Sequence, residues 1–168
     1  MFAEELRLDE IIEFSEGNLN LQGRRLVLHD LHAFAELRRD LFEMLGQERA
    51  RQILTRFGFY WGKADASAMD RIFKWENITE WIKAGPRMHT LQGITKAIIK
   101  SLEVDECSGH FNMELIWYNS GEAEEHLIAK GQSNYPVCWK LVGYASGYAS
   151  HCFGKEIYFI ENKCKARG

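Results

Sequence analysis

The stretch from Pro136 to Gly154 constrains this chain more than any other. Proline suits the first turn of a helix, because the N–H it lacks would have no partner there. Gly154 ends the run, and the spacing predicts one helix from Pro136 through Cys152. Gly143 and Gly147 fall inside it. Lacking a Cβ, they allow a neighbouring backbone to come close.

The remaining segments are the elements that helix can pack against. Ile11, Ile12 and Phe14 form a first strand-like run. Leu19 and Leu21 then alternate with polar residues, and Leu26, Val27 and Leu28 follow Gly23. A β-arm of this size cannot bury itself and needs the rest of the domain or a second subunit. Asp30 is an N-cap for a helix carrying Leu31, Phe34, Leu37, Leu41 and Leu45, which Gly46 stops. A second helix starts near Gln47, with Ile53, Leu54, Phe57, Tyr60 and Trp61 as its apolar face and Gly62 near its end. Two shorter helical stretches are expected over 66–75 and 78–83, after which Gly85-Pro86 should break the chain. Residues 90–105 read as a strand and Ser108-Gly109 as a turn. Residues 110–118 are the partner strand, with Phe111, Met113, Leu115 and Trp117 on one face. Ser120 caps a helix to Ala129 whose first turns are acidic, as the helix dipole favours. Residues 155–164 read as a last strand with Ile157, Phe159 and Glu161 on one face. Helices early and an antiparallel sheet late predict an α+β fold. Its expected divisions are a β-arm over 1–29, a helical part over 30–89 and a sheet-bearing part over 90–168.

Composition removes several function classes. The net charge is −3 and no basic stripe appears, so a nucleic-acid surface is not expected. No apolar run approaches the roughly 18 residues that cross a bilayer, and the charged stretch 1–10 lacks the pattern of a secretory signal. The expected compartment is the cytoplasm, where the four cysteines serve as thiols or metal ligands rather than disulfides. Aromatics make up 12% of the chain, enough to line a ligand cavity or simply to fill a core. Phosphate loops, nucleophile elbows and paired-His metal helices are absent from the sequence. Glu161 and Cys164 lie three apart near a strand end, and Cys138 starts the Pro136 helix. The ordinary reading is two unrelated cysteines and a solvated glutamate; the alternative is a partial zinc shell. His89 and Trp117 likewise divide between core filling and use of their polar N–H groups on a ligand oxygen.

Five segments carry a resemblance: LFEMLGQERARQILT with RFGFYWG over 41–62, GPRMHTLQG over 85–93, ELIWYNS over 114–120, PVCWKLVGYASGY over 136–148 and ENKCKARG over 161–168. Together they resemble the amino-terminal sensor region of the sigma-54-dependent activators of aromatic catabolism, the XylR, DmpR, MopR and PoxR type. The second half resembles the 4-vinyl-reductase module that ends those regions. The resemblance implies structural zinc on Cys138, Glu161 and Cys164. It implies ring-oxygen partners at His89 and Trp117, and cavity walls at Ile82, Leu91, Leu115, Val142, Tyr148 and Phe159. It further implies a homodimer using the β-arm, and a small aromatic effector such as phenol, cresol or an alkylbenzene. In such regulators the effector relieves repression of a downstream ATPase domain.

Two departures from the family pattern stand out. The family's fourth zinc ligand is a cysteine about eight residues beyond the position of Cys164; the expectation is either that the sequence is cut just before that ligand or that another group, Cys107, Cys152 or His151, replaces it. Phe159 stands where tyrosine is usual, which shifts preference toward less polar rings. The expectation is a ligand-binding sensor rather than an enzyme. The competing reading is a tetrapyrrole-binding enzyme or accessory factor of the vinyl-reductase type, against which the sequence offers no nicotinamide or flavin fingerprint.

Overall fold

The computed structural model describes residues 1–168. Its elements are helix α1 (Leu8–Ile11), strands β1 (Glu13–Ser15), β2 (Asn18–Leu21) and β3 (Arg24–Leu26), and helices α2 (Leu31–Leu45), α3 (Gln47–Ile72) and α4 (Ile78–Leu91). Strands β4 (Lys96–Asp105) and β5 (His110–Tyr118) and helices α5 (Gly121–Lys130) and α6 (Trp139–Phe153) complete it. This is an α+β fold, as the sequence pattern predicts. No helix is long and apolar enough to cross a membrane.

The closest packing in the molecule is between α3 and α6. A Cβ at Gly58 or Gly62 would overlap the carbonyls of Lys140 and Tyr144. A Cβ at Gly143 or Gly147 would overlap those of Thr55 and Phe59. Each helix thus presents two glycines four apart to the other, and the backbones touch without side chains between them. This corrects two expectations. Gly62 is a contact point rather than a stop, so α3 continues to Ile72 and absorbs most of the separate helix expected over 66–75. The helix expected from Pro136 begins at Trp139, with Cys138 as its N-cap.

Helix α4 also outlasts its expected end. It runs through Gly85-Pro86 to Leu91, so His89 lies in its last turn rather than ahead of a strand. Pro86 cannot donate to the Ile82 carbonyl. The Tyr148 hydroxyl of α6 donates to the adjacent Trp81 carbonyl (3.1 Å), and Thr90 donates its hydroxyl to the Pro86 carbonyl (3.1 Å). Gly85 lets the Tyr148 ring lie flat on the helix, where a Cβ would come within 2.8 Å of it. Tertiary contacts here outweigh the local breaker signal.

The arm forms a three-stranded antiparallel sheet, β1-β2-β3. Leu21 is fully buried in the main core with Leu6 and Ile11, so the arm packs on its own chain. Phe14, Val27 and Leu28 remain exposed. Strands β4 and β5 pair antiparallel from Lys96–Tyr118 to Asp105–His110, with one irregularity between Ile99 and Ser101. The strand expected over 155–164 is extended but joins no ladder. Its inner backbone bonds go to serine hydroxyls of α6: Ser150 takes the Ile157 N–H (2.9 Å) and Ser146 the Phe159 N–H (2.9 Å). The alternation nevertheless holds, since Ile157, Phe159 and Glu161 are partly buried and Tyr158 and Ile160 exposed.

One buried ion pair fixes where α6 begins. Glu122, at the start of α5, accepts from the backbone N–H groups of Lys140 (3.0 Å) and Leu141 (2.9 Å). Arg38 of α2 donates to Glu122 (2.9 Å) and to the Val137 carbonyl (2.7 Å), and its guanidinium lies 4.8 Å from the Trp139 ring centre. Both side chains are almost wholly buried, so removing either leaves the other's charge uncompensated.

Two stability outcomes follow from this packing. Gly147→Ala should destabilise the fold by about 3 kcal/mol or more, because the obstacle is backbone and cannot rotate away. Glu122→Gln should cost about 3–5 kcal/mol. Urea unfolding checks both, and a loss under about 1 kcal/mol in either variant would refute its premise.

Candidate functional site

A small cavity lies where α4, β5, α6 and the 155–164 segment meet. Helix α4 contributes Ile82, Gly85, Pro86 and His89, and β5 contributes Met113, Leu115 and Trp117. Helix α6 contributes Tyr144, Ala145, Tyr148 and Ala149, and Phe159 closes one end. Six of the eight sequence-derived ligand positions therefore converge: His89, Trp117, Ile82, Leu115, Tyr148 and Phe159. Leu91 and Val142 do not line it. Leu91 stands two residues from His89 of α4, and positions two apart face different ways; Val142 shares the face of Ala145 and Ala149 but precedes them by nearly a turn of α6.

The residues that sequence reasoning missed had a legible signal. Met113 shares the alternate face of Leu115 and Trp117. Tyr144, Ala145 and Ala149 surround Tyr148 at helical spacing. Gly85 and Pro86 were hidden by their reading as a break.

The cavity is apolar with sparse polar groups. Both tyrosine hydroxyls are turned to protein acceptors: Tyr148 to the Trp81 carbonyl, and Tyr144 to Asp65 (2.9 Å). The His89 and Tyr144 ring centres are only 3.7 Å apart, and Trp61 meets Tyr144 edge-on at 5.3 Å. His89 is buried, and its Nε2 is fully enclosed with no protein partner. Such a group is rare in a native core and is satisfied by a bound molecule or water. Burial, with a smaller contribution from nearby Lys140, pushes the imidazole down to about 3, so it is neutral at physiological pH. Neutral imidazole can donate or accept at Nε2, according to tautomer. The cavity is about 20 Å³, room for a water or two. Anything as large as an aromatic ring would fit only if side chains of the walls were displaced.

A second cluster stands at the amino end of α6. The ligating atoms of Cys138, Glu161 and Cys164 all lie within 4.8 Å of one another. The Cys138 N–H donates to Glu161 Oε2 (2.9 Å), and Ser120 Oγ lies 3.2 Å from Cys138 Sγ. Burial pushes the Glu161 carboxyl up to about 8. The hydrogen bond with Cys164, followed by burial, drives the Cys138 thiol up, and the same bond lowers Cys164. Three acids this close cannot all ionise without a cation between them, which is the environment a divalent metal supplies. The two thiols and one carboxylate fit such an ion. The three substitutes for a fourth ligand lie elsewhere: Cys107 is exposed at the β4–β5 turn, Cys152 belongs to the main core and His151 packs on Trp81.

One α+β domain thus carries an aromatic-lined cavity and a Cys–Glu–Cys cluster. Comparison with known proteins gives its family. A family model described as activator of aromatic catabolism matches residues 6–105. The phenol regulator MopR of Acinetobacter guillouiae is 35% identical over 162 residues, which is 96% of this chain and 29% of that protein. The transcriptional regulatory protein XylR of Pseudomonas putida is 32% identical over 154 residues, 92% of this chain and 27% of that protein. The phenol-responsive sensory domain of the transcription activator PoxR, crystallised with phenol, superposes with a TM-score of 0.91 at 31% identity. That match covers 95% of this chain and 81% of that one. The chain belongs to the activators of aromatic catabolism, and it corresponds to their sensor domain. It spans under a third of the length of these two curated relatives.

The buried histidine makes stability depend on pH. Its folded value, about 3, lies below the ordinary 6.5. Between those values the unfolded chain binds a proton that the folded chain rejects, so stability falls as pH drops through that window. Burial also lowers His126 and His151, which act in the same direction. Glu161, raised to about 8, acts the other way over the same range, so the comparison decides: on going from pH 7.5 to pH 5 the urea midpoint should change less unfavourably in His89→Leu than in the parent chain. Equal slopes would mean that His89 is not held neutral.

Proposed function

We propose that this chain senses a small aromatic effector, phenol or a close relative, held in the His89 cavity without being transformed. The observation that carries this reading is the enclosed, partnerless Nε2 of His89 on the wall of an otherwise apolar aromatic cavity. A phenolic hydroxyl would pair with that nitrogen while Ile82, Leu115 and Phe159 hold the ring. Trp117, half-buried on the same wall, is the second polar partner. Family membership and the likeness to a sensory domain crystallised with phenol support the same reading. Phe159 adds no hydroxyl, so cresols and alkylbenzenes belong to the candidate set.

The metal of the second cluster, in this reading, is structural zinc on Cys138, Glu161 and Cys164. Mixed sulfur and oxygen ligation suits zinc. The ion would neutralise the three acids and tie the tail at Cys164 to the start of α6, whose next turns carry Tyr144 and Tyr148. In the cytoplasm of the source cell the domain would act as a homodimer within a longer sigma-54-dependent regulator. Effector binding there would relieve repression of an ATPase domain. The exposed Phe14, Val27 and Leu28 of the arm support a dimer through that surface.

Calorimetry with phenol, cresols and toluene tests the reading. His89→Ala should weaken phenol by about tenfold or more and toluene far less, because toluene offers no group to the nitrogen. Equal losses would remove the oxygen-binding role of His89. Absence of heat with every monoaromatic, in folded metal-loaded protein, would reject the sensor reading. Metal analysis should return about one zinc per chain, lost in Cys164→Ser. Zinc-free protein with unchanged melting would reject the structural ion.

A further inference from the structure

Ser120 lies just beyond β5, buried, and caps α5 by accepting the Ala123 N–H at 3.4 Å. The same oxygen is 3.2 Å from Cys138 Sγ, closer than it is to the N–H it caps. Capping does not account for that approach. Asparagine and aspartate cap a helix as well as serine does, and glycine nearly as well. Nor does the sulfur cap its own helix. Cys138 is the N-cap of α6 without a side-chain cap bond, and the Lys140 and Leu141 N–H groups go to Glu122 of α5 instead.

The count of hydrogens gives the contact a direction. A hydroxyl has one hydrogen and two lone pairs. Ala123 takes a lone pair, and the hydrogen is left for the sulfur. A thiol at Cys138 can donate to the hydroxyl or accept from it. A sulfur that holds a metal ion has given up its proton and can only accept. Position 120 must then accept on one side and donate on the other from a single atom, which among side-chain groups is the property of a hydroxyl. Glu161 is oriented in a similar way, since the Cys138 N–H donates to its Oε2 at 2.9 Å. Groups that hydrogen-bond a metal ligand fix its direction and tune the affinity for the ion.

We propose that Ser120 is a positioning residue of the metal centre: its hydroxyl donates to the Cys138 sulfur and holds that ligand for the ion, while the same oxygen caps α5. This rests on the metal reading of the Cys138, Glu161 and Cys164 cluster. Helix α5 then supports that centre twice, through Ser120 at the sulfur and through Glu122 at the turn of α6 that carries it.

Competition for zinc against a chelator, on the whole chain, tests this in Ser120→Ala and Ser120→Gly. Neither can donate, but glycine still suits an N-cap and alanine does not. Zinc affinity should fall about tenfold or more in both. A loss confined to Ser120→Ala would trace to the cap and overturn the proposal, as would unchanged affinity in both. Cobalt(II) in place of zinc reads the sulfur itself. A hydrogen bond lowers the energy of the sulfur lone pairs, so the thiolate-to-cobalt charge-transfer band should move to longer wavelength in both variants. Ser120→Thr keeps the hydroxyl and should leave the band and the affinity near those of the parent chain. A band unmoved in Ser120→Ala and Ser120→Gly, or moved as far in Ser120→Thr, overturns the proposal. If the parent chain takes up neither zinc nor cobalt, the metal reading fails and the role of Ser120 with it. A parent that binds metal, with variants that bind it equally well, overturns the role of Ser120 alone.

Discussion

The direct contact of α3 with α6 is the constraint on which the other features depend. Four glycines let two helix backbones touch, and that contact leaves the larger residues of α6 nowhere to go but its other side. Tyr144 and Tyr148 therefore face α4, and Gly85 gives Tyr148 room to reach the Trp81 carbonyl. The cavity is what remains between those rings, His89 and the β5 wall. Glycine in a helix interior is locally unfavourable by about 1 kcal/mol, so this arrangement is held by packing and not by propensity.

Buried polar groups then fix positions that apolar packing alone would leave loose. Arg38 and Glu122 set the first turn of α6, which places Cys138 against Glu161 and Cys164. Asp65 gathers the arm, the end of α4 and Tyr144 at one carboxylate. These networks are almost fully satisfied. Four enclosed side-chain atoms lack a partner, Arg38 Nε, Trp75 Nε1, His89 Nε2 and Gln92 Oε1, and of these residues His89 alone lines the cavity.

Much of this was legible in the sequence, and the failures share a cause. Caps at Asp30 and Ser120, the β4–β5 pairing and the face of Met113, Leu115 and Trp117 follow from local rules, and the structure bears them out. Gly62, Gly85-Pro86 and Pro136 misled because breaker signals describe a chain in isolation. Here the first lies against the backbone of α6, the second against the Tyr148 ring, and the third precedes the helix by a few residues. The tail over 155–164 has strand periodicity without strand partners, since serine hydroxyls replace the ladder. Spacing alone left Cys138, Glu161 and Cys164 open between coincidence and cluster. Only the fold, in which Glu122 fixes the turn that carries Cys138, brings the three together. Leu91 and Val142 were carried over by resemblance and lie off the cavity; helical phase with His89 separates Leu91 from the lining, whereas Val142 shares the face of Ala145 and Ala149 and precedes them by nearly a turn.

The central claim is that His89 presents its free nitrogen to the hydroxyl of an aromatic guest. A crystal structure of the protein grown with phenol tests it most directly. The account predicts the ring between Ile82, Leu115 and Phe159, its oxygen within hydrogen-bond distance of His89 Nε2, and the Tyr144 hydroxyl still on Asp65. Phenol bound elsewhere, or bound in the cavity with its oxygen turned away from His89, would contradict it.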